Sequence, residues 1–408
     1  MKTKIHYGWI VCAGCTLAMF CCCGLVIQAF SVYMPFLVQR YGLTQTQASL
    51  VPTFRSLFSL IFKFLVIWFI DRLNVRRTMG LGFLFVIASF VLYAGNGPYW
   101  LIYAAAALAG IGYGLATMVP ISILLNRWFR EKLALALAFC AASTGVASMI
   151  FPPVITGIIS RRGLTTAFLL EAAAIALVFL ATMLMLRNDP KELGLAPFGR
   201  ETEKKTEKAA AVQTAAPLSK GQGLVFLAAP LLLGAVAQTA SGLFTLHFTG
   251  EGFDAMTAAL AVSVFGFSLL VGKFVYGFCQ DAIGGAKTNL LLLALMLGGV
   301  VCACFIRGSA VLLFVSVILI GLGFSVSTVG ITMWAKEFSD EKQYANTVRT
   351  YQILFMLGSL VFSPCAGMIA DLFGSYVPVF ALYSVMTAGI LAVICWAYRV
   401  KTGNRRAA

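Results

Sequence analysis

Residues 290–306 of the chain read LLLLALMLGGVVCACFI, and Leu169–Leu186 is a second, largely apolar run. Neither run alternates polar and apolar residues, as a membrane β-strand does over about ten residues. A bilayer crossing needs about 17–25 apolar residues, and lipid offers the backbone no hydrogen-bond partners. Each run is therefore predicted to cross a membrane as a helix.

Runs of this kind recur along nearly the whole chain. Of its 408 residues, 60% are hydrophobic and 11% are charged, and the mean hydropathy is +0.92. A soluble globular chain carries roughly a quarter charged residues. We predict an all-α membrane protein with twelve transmembrane helices in two pseudo-symmetric six-helix bundles. The predicted spans lie near 8–38, 44–70, 78–95, 99–125, 131–159, 165–186, 223–249, 256–280, 288–306, 310–335, 345–370 and 376–398, with Asn126–Lys132 counted as a loop.

The net charge of +15 is explained by where the basic residues lie. Of the 30 Lys and Arg residues, twenty-two fall on one side of the predicted spans, four on the other side and four inside spans. Cytoplasmic segments carry such an excess. Both termini are therefore predicted to be cytoplasmic, in a plasma membrane such as a bacterial inner membrane. The partner that this pattern indicates is the lipid bilayer and not nucleic acid.

A polar stretch, Arg187–Gln222, separates two parts of near-equal length and contains the charged run Glu201–Lys208. It predicts a solvated linker. We divide the chain into an N-terminal bundle (1–188), a cytoplasmic linker (189–222) and a C-terminal bundle (223–408).

Three blocks of the first part recur in the second at an offset of 210 or 211 residues. Any one match is weak, but three blocks in one order indicate a duplicated six-helix unit. The matching positions are Lys63 and Asp71 with Lys273 and Asp281; Gly110–Tyr113 and Thr117 with Gly321–Phe324 and Thr328; and Phe151, Pro153 and Gly163 with Phe362, Pro364 and Gly374.

Short motifs accompany the repeat. One is a loop motif after span 2, which returns after span 8; two others precede span 5 and follow span 6. They are Asp71–Arg77, Gly277–Asp281 with Gly284 and Lys287, Asn126–Lys132 and Asp189–Pro197.

The parallel repeat and the loop motif resemble the major facilitator superfamily. The stretches beside spans 5 and 6 resemble its oxalate/formate antiporter and monocarboxylate transporter branch. This resemblance implies a secondary transporter that works by alternating access, and function as a monomer is expected. It also implies that the loop motifs pin the inward gate, through Asp71, Arg72, Arg76 and Asp281. No nucleotide-binding motif or cofactor motif appears, so an ion gradient or exchange is expected to drive transport.

The chain departs from the family's loop motif at three positions. Ile67 and Asn74 stand where glycines are expected in the first copy, and Ala282 replaces a basic residue in the second. A looser gate is therefore expected in the C-terminal half.

Four cations lie inside the predicted spans, against one clearly intramembrane carboxylate, Glu171. A charge at the bilayer midplane costs at least about 2.5–3.5 kcal/mol on insertion scales and usually faces a wet cavity. Positive charge in a low-dielectric cavity attracts a carboxylate, so the excess of cations predicts an anionic substrate. The four cations are Arg55, Lys63, Lys273 and Arg349.

Lys273 is the leading candidate for substrate binding. It lies eight residues before Asp281, or about 12 Å of helix rise, and shares a helix face with Gly266, Tyr276 and Gln280. Branch members commonly have an arginine here that binds the substrate carboxylate, so the resemblance implies this role for Lys273. Lysine offers a point charge where arginine offers a two-pronged donor. The alternative is that Lys273 snorkels to the cytoplasmic interface.

The other span cations are placed by spacing. Arg55 lies near the midplane of span 2, and Ser59 and Lys63 continue a polar stripe at helical spacing. Arg55 is predicted to line the cavity. Lys63 either lines it or snorkels, and Arg349, one turn inside span 11, is better explained by snorkelling.

Hydroxyl groups for a carboxylate are offered by Tyr113, Thr117 and Tyr351. An inward-facing tyrosine is as often a packing residue. The glycines of Gly110–Gly114 suit close helix contact or rocking at the interface between the halves.

A proton-coupled transporter needs a titratable group. His247, at the outer end of span 7, and Asp254, seven residues later, resemble the branch's proton-linked positions in kind and spacing, and histidine titrates near neutrality. The alternative is a structural histidine at a helix end. Glu171 is expected to pair with Arg161 or Arg162 at the outer boundary.

Together these features predict a secondary active transporter of small mono- or dicarboxylates, working as a proton symporter or an anion exchanger. An exporter of amphipathic drugs is the first alternative, although such exporters usually need intramembrane acids. A non-transporting receptor is the second. No enzyme is indicated, because the spans contain no metal-binding or paired catalytic motif, and the 11 cysteines follow no disulfide or zinc pattern.

Overall fold

The computed structural model describes residues 6–199, 220–339 and 343–407. In these ranges no strand forms beyond one bridge between Phe129 and Phe198. Twelve helical stretches of the described chain are long and apolar enough to cross a membrane, from Tyr7–Tyr41 to Val377–Thr402. The predicted all-α class and twelve spans are confirmed.

Residues 6–199, the described part of the first half, contain eight α-helices. The first span also includes a π-helical segment, Phe20–Ala29, and a 3-10 turn, Phe30–Tyr33. The helices are α1 (Tyr7–Met19), α2 (Met34–Tyr41), α3 (Gln45–Leu73), α4 (Val75–Ala94), α5 (Trp100–Ala116), α6 (Met118–Trp128), α7 (Leu133–Arg162) and α8 (Leu164–Met185).

The described part of the second half also contains eight α-helices, and its π-helical segment, Val326–Gly330, lies in its fourth span. Its helices are α9 (Lys220–Phe226), α10 (Ala228–Gly250), α11 (Ala255–Ile283), α12 (Gly285–Ala303), α13 (Ala310–Ser325), α14 (Ile331–Phe338), α15 (Tyr344–Phe373) and α16 (Val377–Ala407).

Large apolar side chains cover much of the outside of the helices. Leu177, Leu184, Phe278 and Leu372 are each 69–81% exposed. Such a surface would drive aggregation in water, whereas lipid solvates it without penalty. Because lipid is as apolar as leucine, close packing through small residues holds the helices together.

Glycines make the closest helix contacts and display the repeat. A Cβ at Gly110 of α5 would overlap the carbonyl oxygen of Arg55 in α3, and a Cβ at Gly321 of α13 would lie 2.9 Å from the carbonyl oxygen of Phe265 in α11. Gly321 is the repeat mate of Gly110, and Phe265 is the repeat mate of Arg55, at the offset of 210 or 211 residues predicted from sequence. Close helix contact by the Gly110–Gly114 glycines is confirmed within the first half; their proposed role between the halves stays a prediction.

Spans 4 and 10 are interrupted at matching positions. Thr117, between α5 and α6, has φ −108° and ψ −138°, outside the helical region. Its repeat mate Thr328 lies within the π-helical segment of span 10. Irregular turns of this kind frequently mark functional sites in helices.

The loop motif after span 2 is shorter than expected. α3 continues to Leu73 and α4 begins at Val75, so Asp71 lies in the last turn of a helix and only Asn74 separates the two helices. Asp281 likewise lies in the last turn of α11.

Two compact units divide the chain. One contains Met1–Tyr41 and Leu50–Lys204, and the other contains Gly42–Ser49 and Lys205–Ala408. The first turn of α3 therefore belongs to the second unit, which the repeat pattern does not reveal. There the Asp371 carboxylate accepts hydrogen bonds from the backbone amides of Gln45 (2.7 Å) and Thr46 (2.8 Å).

The Asp189–Pro197 stretch folds onto the first unit. Pro190–Leu193 forms a 3-10 turn capped by the Asp189 side chain, and His6 Nε2 lies 3.1 Å from the Ala196 carbonyl oxygen. The charged part of the predicted linker, Glu201–Lys208, lies outside the described residues.

Candidate functional site

Arg55 is the most deeply buried cation of the predicted set, with 5% of its surface exposed. One guanidinium nitrogen, Nη1, donates to the Val26 carbonyl oxygen at 2.6 Å. The guanidinium carbon lies 5.3 Å from the centre of the Phe30 ring. Its Nε has no hydrogen-bond partner, and no carboxylate among the described residues forms an ion pair with Arg55.

The irregular part of span 1 provides this environment. Val26 lies in the π-helical segment and Phe30 begins the 3-10 turn. In a regular α-helix, each carbonyl accepts a hydrogen bond from the amide four residues further on. Where the helix is irregular, as at Val26, a carbonyl oxygen can accept from a side chain. The phenol of Tyr113 lies close enough to Arg55 to interact with it electrostatically.

Lys63 and Tyr113, both predicted site residues, are brought together. The Lys63 ammonium lies 4.6 Å from the centre of the Tyr113 ring, in a cation–π contact. Between Arg55 and Lys63 on α3, Ser59 is 4% exposed and its hydroxyl has no hydrogen-bond partner. The stripe predicted from spacing thus lies largely inside the first unit.

Thr117 is buried at the break in span 4. Its hydroxyl donates to the Tyr113 carbonyl oxygen at 2.6 Å. This bond supports the distorted turn, and the hydroxyl oxygen keeps lone pairs that can accept a further bond.

In the second unit, Lys273 is half-buried on α11, one residue after Gly272, which packs against the carbonyl oxygen of Leu322. Two residues of the helix face predicted to surround Lys273 already have hydrogen-bond partners within the protein. The Tyr276 hydroxyl donates to Asn289 at 2.9 Å, and the Gln280 amide donates to Glu337 at 3.1 Å. These bonds form a polar network near the end of α11, and the substrate role of Lys273 stays a prediction.

Tyr351 and Arg349 lie at the start of span 11. Tyr351 is 4% exposed, and its ring packs 5.6 Å from that of Phe226, which agrees with the packing alternative. Arg349 is exposed, as snorkelling requires.

His247 and Asp254 have separate surroundings. The His247 ring stacks on Phe380 at 4.2 Å, and its Nε2 lies 2.9 Å from the Ala303 carbonyl oxygen. Asp254 caps α11, accepting from the amides of Met256 and Thr257 and from the Thr257 hydroxyl. These hydrogen bonds, chiefly that of the Thr257 side chain, lower the pKa of Asp254. Each residue thus has a structural explanation, and proton coupling through the pair stays a prediction.

The predicted gating residues lie at the ends of α3, α4 and α11. Asp71 and Asp281 are exposed. The Arg72 guanidinium lies 4.6 Å from the Trp68 ring, and Arg76 donates to the Met183 carbonyl oxygen at 2.6 Å. Arg76 therefore fastens α4 to α8 within the first unit.

Glu171 was expected to pair with Arg161 or Arg162, and that expectation is wrong. Glu171 is 7% exposed, and its Oε2 accepts a hydrogen bond from the Tyr33 hydroxyl. Both arginines are exposed, and Arg162 lines an open cavity of about 540 Å³ with Arg40. The sequence does not reveal this pair, because an acid in α8 and a tyrosine in a distant span stand at no fixed spacing along the chain.

Twelve spans in the described part of the chain, arranged as two halves related by a sequence repeat and with interrupted helices around buried polar groups, define a polytopic membrane protein of the transporter class. The chain belongs to the Major Facilitator Superfamily, whose family model matches residues 16–260 and 227–408. Relatives of this chain include proteins of the branch that the sequence motifs resemble.

Rat monocarboxylate transporter 13 is 26% identical over 281 residues, which cover 67% of this chain and 62% of that protein. This alignment therefore spans less than two thirds of the relative. The oxalate:formate antiporter of Oxalobacter formigenes is 26% identical over 120 residues, or 29% of this chain and 28% of that one. Among solved structures, the nucleoside transporter NupG aligns with a TM-score of 0.76 at 10% identity, covering 97% of this chain and 99% of that chain. This last likeness concerns the fold alone.

Proposed function

We propose that the chain is a secondary active transporter of small organic anions, mono- or dicarboxylates, that works by alternating access as a proton symporter or an anion exchanger. The observation that carries the proposal is Arg55, a guanidinium buried in a membrane span without a carboxylate partner in the described chain.

Charge burial gives the physical reason. A buried cation without a counter-ion is costly and is retained where it serves a function. An incoming carboxylate would supply the missing charge and accept from the unpartnered Nε. Arg55 can present two parallel donors to a carboxylate, a geometry that lysine does not offer. Lys63 adds a second positive charge on the same helix.

The relatives support the same substrate class. The printed names of two of them refer to monocarboxylates, oxalate and formate. Since identity is low and coverage partial, these names motivate the choice of test compounds. The proposal also places the protein in a plasma membrane with both termini in the cytoplasm, as the charge distribution indicates.

Uptake into proteoliposomes tests the proposal. Labelled lactate, oxalate and formate are offered to the full chain and to the variants Arg55→Gln, Arg55→Lys and Lys273→Ala. We expect Arg55→Gln to reduce uptake at least about 100-fold, because a hydrogen bond to a charged partner and its buried charge contribute roughly 3 kcal/mol. Arg55→Lys should retain part of the activity through its charge.

Arg40→Gln is the matched control, because Arg40 lies in the last turn of α2, beyond the predicted span 8–38, and hydrogen-bonds Thr165 at 3.1 Å. Its uptake should match that of the unaltered protein. Accumulation of cationic amphipathic dyes with no uptake of any acid would overturn the proposal in favour of drug export.

A further inference from the structure

We propose that Glu171 is the group that binds and releases the coupled proton. The proposal rests on the proposed function, since it names the proton site of that same transporter and replaces His247 and Asp254 in this role.

The Glu171 carboxyl group is held in the membrane without a counter-ion. Its Oε2 accepts from the Tyr33 hydroxyl, and its Oε1 is buried with no hydrogen-bond partner. Among the described residues, no cation forms an ion pair with it. A carboxylate in such a place is strongly disfavoured, whereas a carboxylic acid is tolerated. One proton adding to Oε1, and later leaving it, changes the local charge by one.

The cations of the neighbouring helices bond elsewhere on α8: Arg76 of α4 donates to the Met183 carbonyl oxygen and Arg40 of α2 to the Thr165 hydroxyl, and neither forms an ion pair with Glu171. Span 1 contributes the phenol of Tyr33 and, near enough to interact electrostatically, the thiol of Cys21. α4 contributes Tyr93, whose ring stacks at 5.3 Å on Phe168, three residues before Glu171. α7 carries charge only at its exposed end, in Arg161 and Arg162.

One irregular segment of span 1 contacts both Arg55 and Glu171. Val26 accepts from Arg55, Phe30 lies under its guanidinium, and Tyr33, in the same 3-10 turn as Phe30, donates to Glu171. An anion that draws Arg55 away from Val26 would shift the turn that holds Tyr33. By linkage, protonation of Glu171 then changes anion affinity by the same factor as the anion changes proton affinity.

The expected stoichiometry follows from charge. One carboxylate anion binds at Arg55 and one proton binds at Glu171, so the loaded transporter carries no added net charge. In symport, both leave together on the other side of the membrane.

Two transport assays on proteoliposomes separate the proton site from the substrate site. The first is exchange of labelled for unlabelled carboxylate without a pH gradient, and the second is accumulation driven by an inward proton gradient. The unaltered protein should accumulate substrate up to roughly tenfold per pH unit. Glu171→Gln should retain exchange and lose accumulation, because glutamine resembles the protonated acid and cannot release a proton. Accumulation by Glu171→Gln equal to that of the unaltered protein would overturn the proposal.

Infrared spectroscopy provides a readout that does not depend on transport. The C=O stretch of a protonated carboxylic acid should be present at neutral pH, absent in Glu171→Gln and shifted in Tyr33→Phe, which loses the hydrogen bond to Oε2. Glu251→Gln, outside the spans, is the matched control and should leave the band unchanged. A band that persists in Glu171→Gln contradicts the assignment, and Tyr33→Phe still tests it if Glu171→Gln fails to fold.

The two proposals fail differently. If the unaltered protein exchanges no carboxylate, the proposed function is wrong. If it exchanges carboxylate and no proton moves with the substrate, the function stands and the role of Glu171 is overturned.

Discussion

Asn74 links α3 and α4 with φ 69° and ψ 166°, a backbone region adopted almost solely by glycine. Its repeat mate is Gly284, which has φ 81° and ψ 161°. The family's glycine is thus replaced where its conformational freedom is used. The Asn74 side chain partly compensates by accepting from the Arg77 amide at 3.2 Å.

We expect Asn74→Gly to stabilise the protein by about 1 kcal/mol. Relief of backbone strain contributes roughly 1–3 kcal/mol, and replacing the Asn cap by Gly costs only a few tenths. Thermal unfolding in detergent measures the effect. The reciprocal variant, Gly284→Asn, should unfold at a lower temperature, and a lower melting temperature for Asn74→Gly would contradict the strain argument.

Asp254 gives a pH-dependent prediction. Hydrogen bonds within the first turn of α11 lower its pKa, so its stabilising contribution is present above the ordinary aspartate pKa of about 3.9. It is lost as the pH falls through the lower native value. Asp254→Ala should therefore destabilise the protein by about 1 kcal/mol at neutral pH, discounted for exposure, and by less in acid. Thermal unfolding across pH is the measurement.

Asp254→Asn separates capping from proton coupling. Asparagine still caps the helix but cannot titrate, so stability and the pH dependence of uptake should both stay close to those of the unaltered protein. Loss of proton-driven uptake in Asp254→Asn, with stability retained, would restore Asp254 as a coupling residue.

Among the helices, α5 illustrates how packing positions the site. Gly110 lies directly against the backbone of Arg55, so α3 and α5 approach as closely as the missing side chain allows. We expect Gly110→Ala to displace Arg55, to destabilise the protein by roughly 1–3 kcal/mol through overpacking, and to reduce carboxylate uptake. Thermal unfolding and proteoliposome uptake measure the two effects.

Gly298→Ala in α12 is the matched control. A Cβ there would lie 3.9 Å from a Leu319 methyl group, an ordinary contact, and alanine favours the helix. Unchanged stability and uptake in Gly110→Ala would mean that the close approach does not position Arg55.

At the scale of the whole molecule, one helix is shared by both units. The first turn of α3 packs in the second unit, where Asp371 caps it and the Tyr376 hydroxyl donates to Gln45 at 2.8 Å. From Leu50 onward, the same helix belongs to the first unit and carries Arg55.

We expect Asp371→Ala to release this turn. Loss of the cap should cost about 0.5–2 kcal/mol and raise hydrogen exchange at the amides of Gln45–Ser49. Asp371→Asn retains an acceptor and should have an intermediate effect. Exchange at Met256 and Thr257, which Asp254 caps, serves as the internal control; protection of Gln45–Ser49 unchanged in Asp371→Ala would contradict the capping role.

The sequence by itself determined the helical membrane class, the twelve spans and the repeat, because the length of an apolar run and the offset between two similar segments are read directly from the order of the residues. It also placed Arg55 and Lys63 on one stripe, since helical spacing fixes which residues share a face. Contacts between distant segments carry no such spacing. Only the tertiary structure therefore decided that Tyr33 donates a hydrogen bond to Glu171, that Arg55 donates to a carbonyl of the π-helical segment, and that Asp371 caps α3.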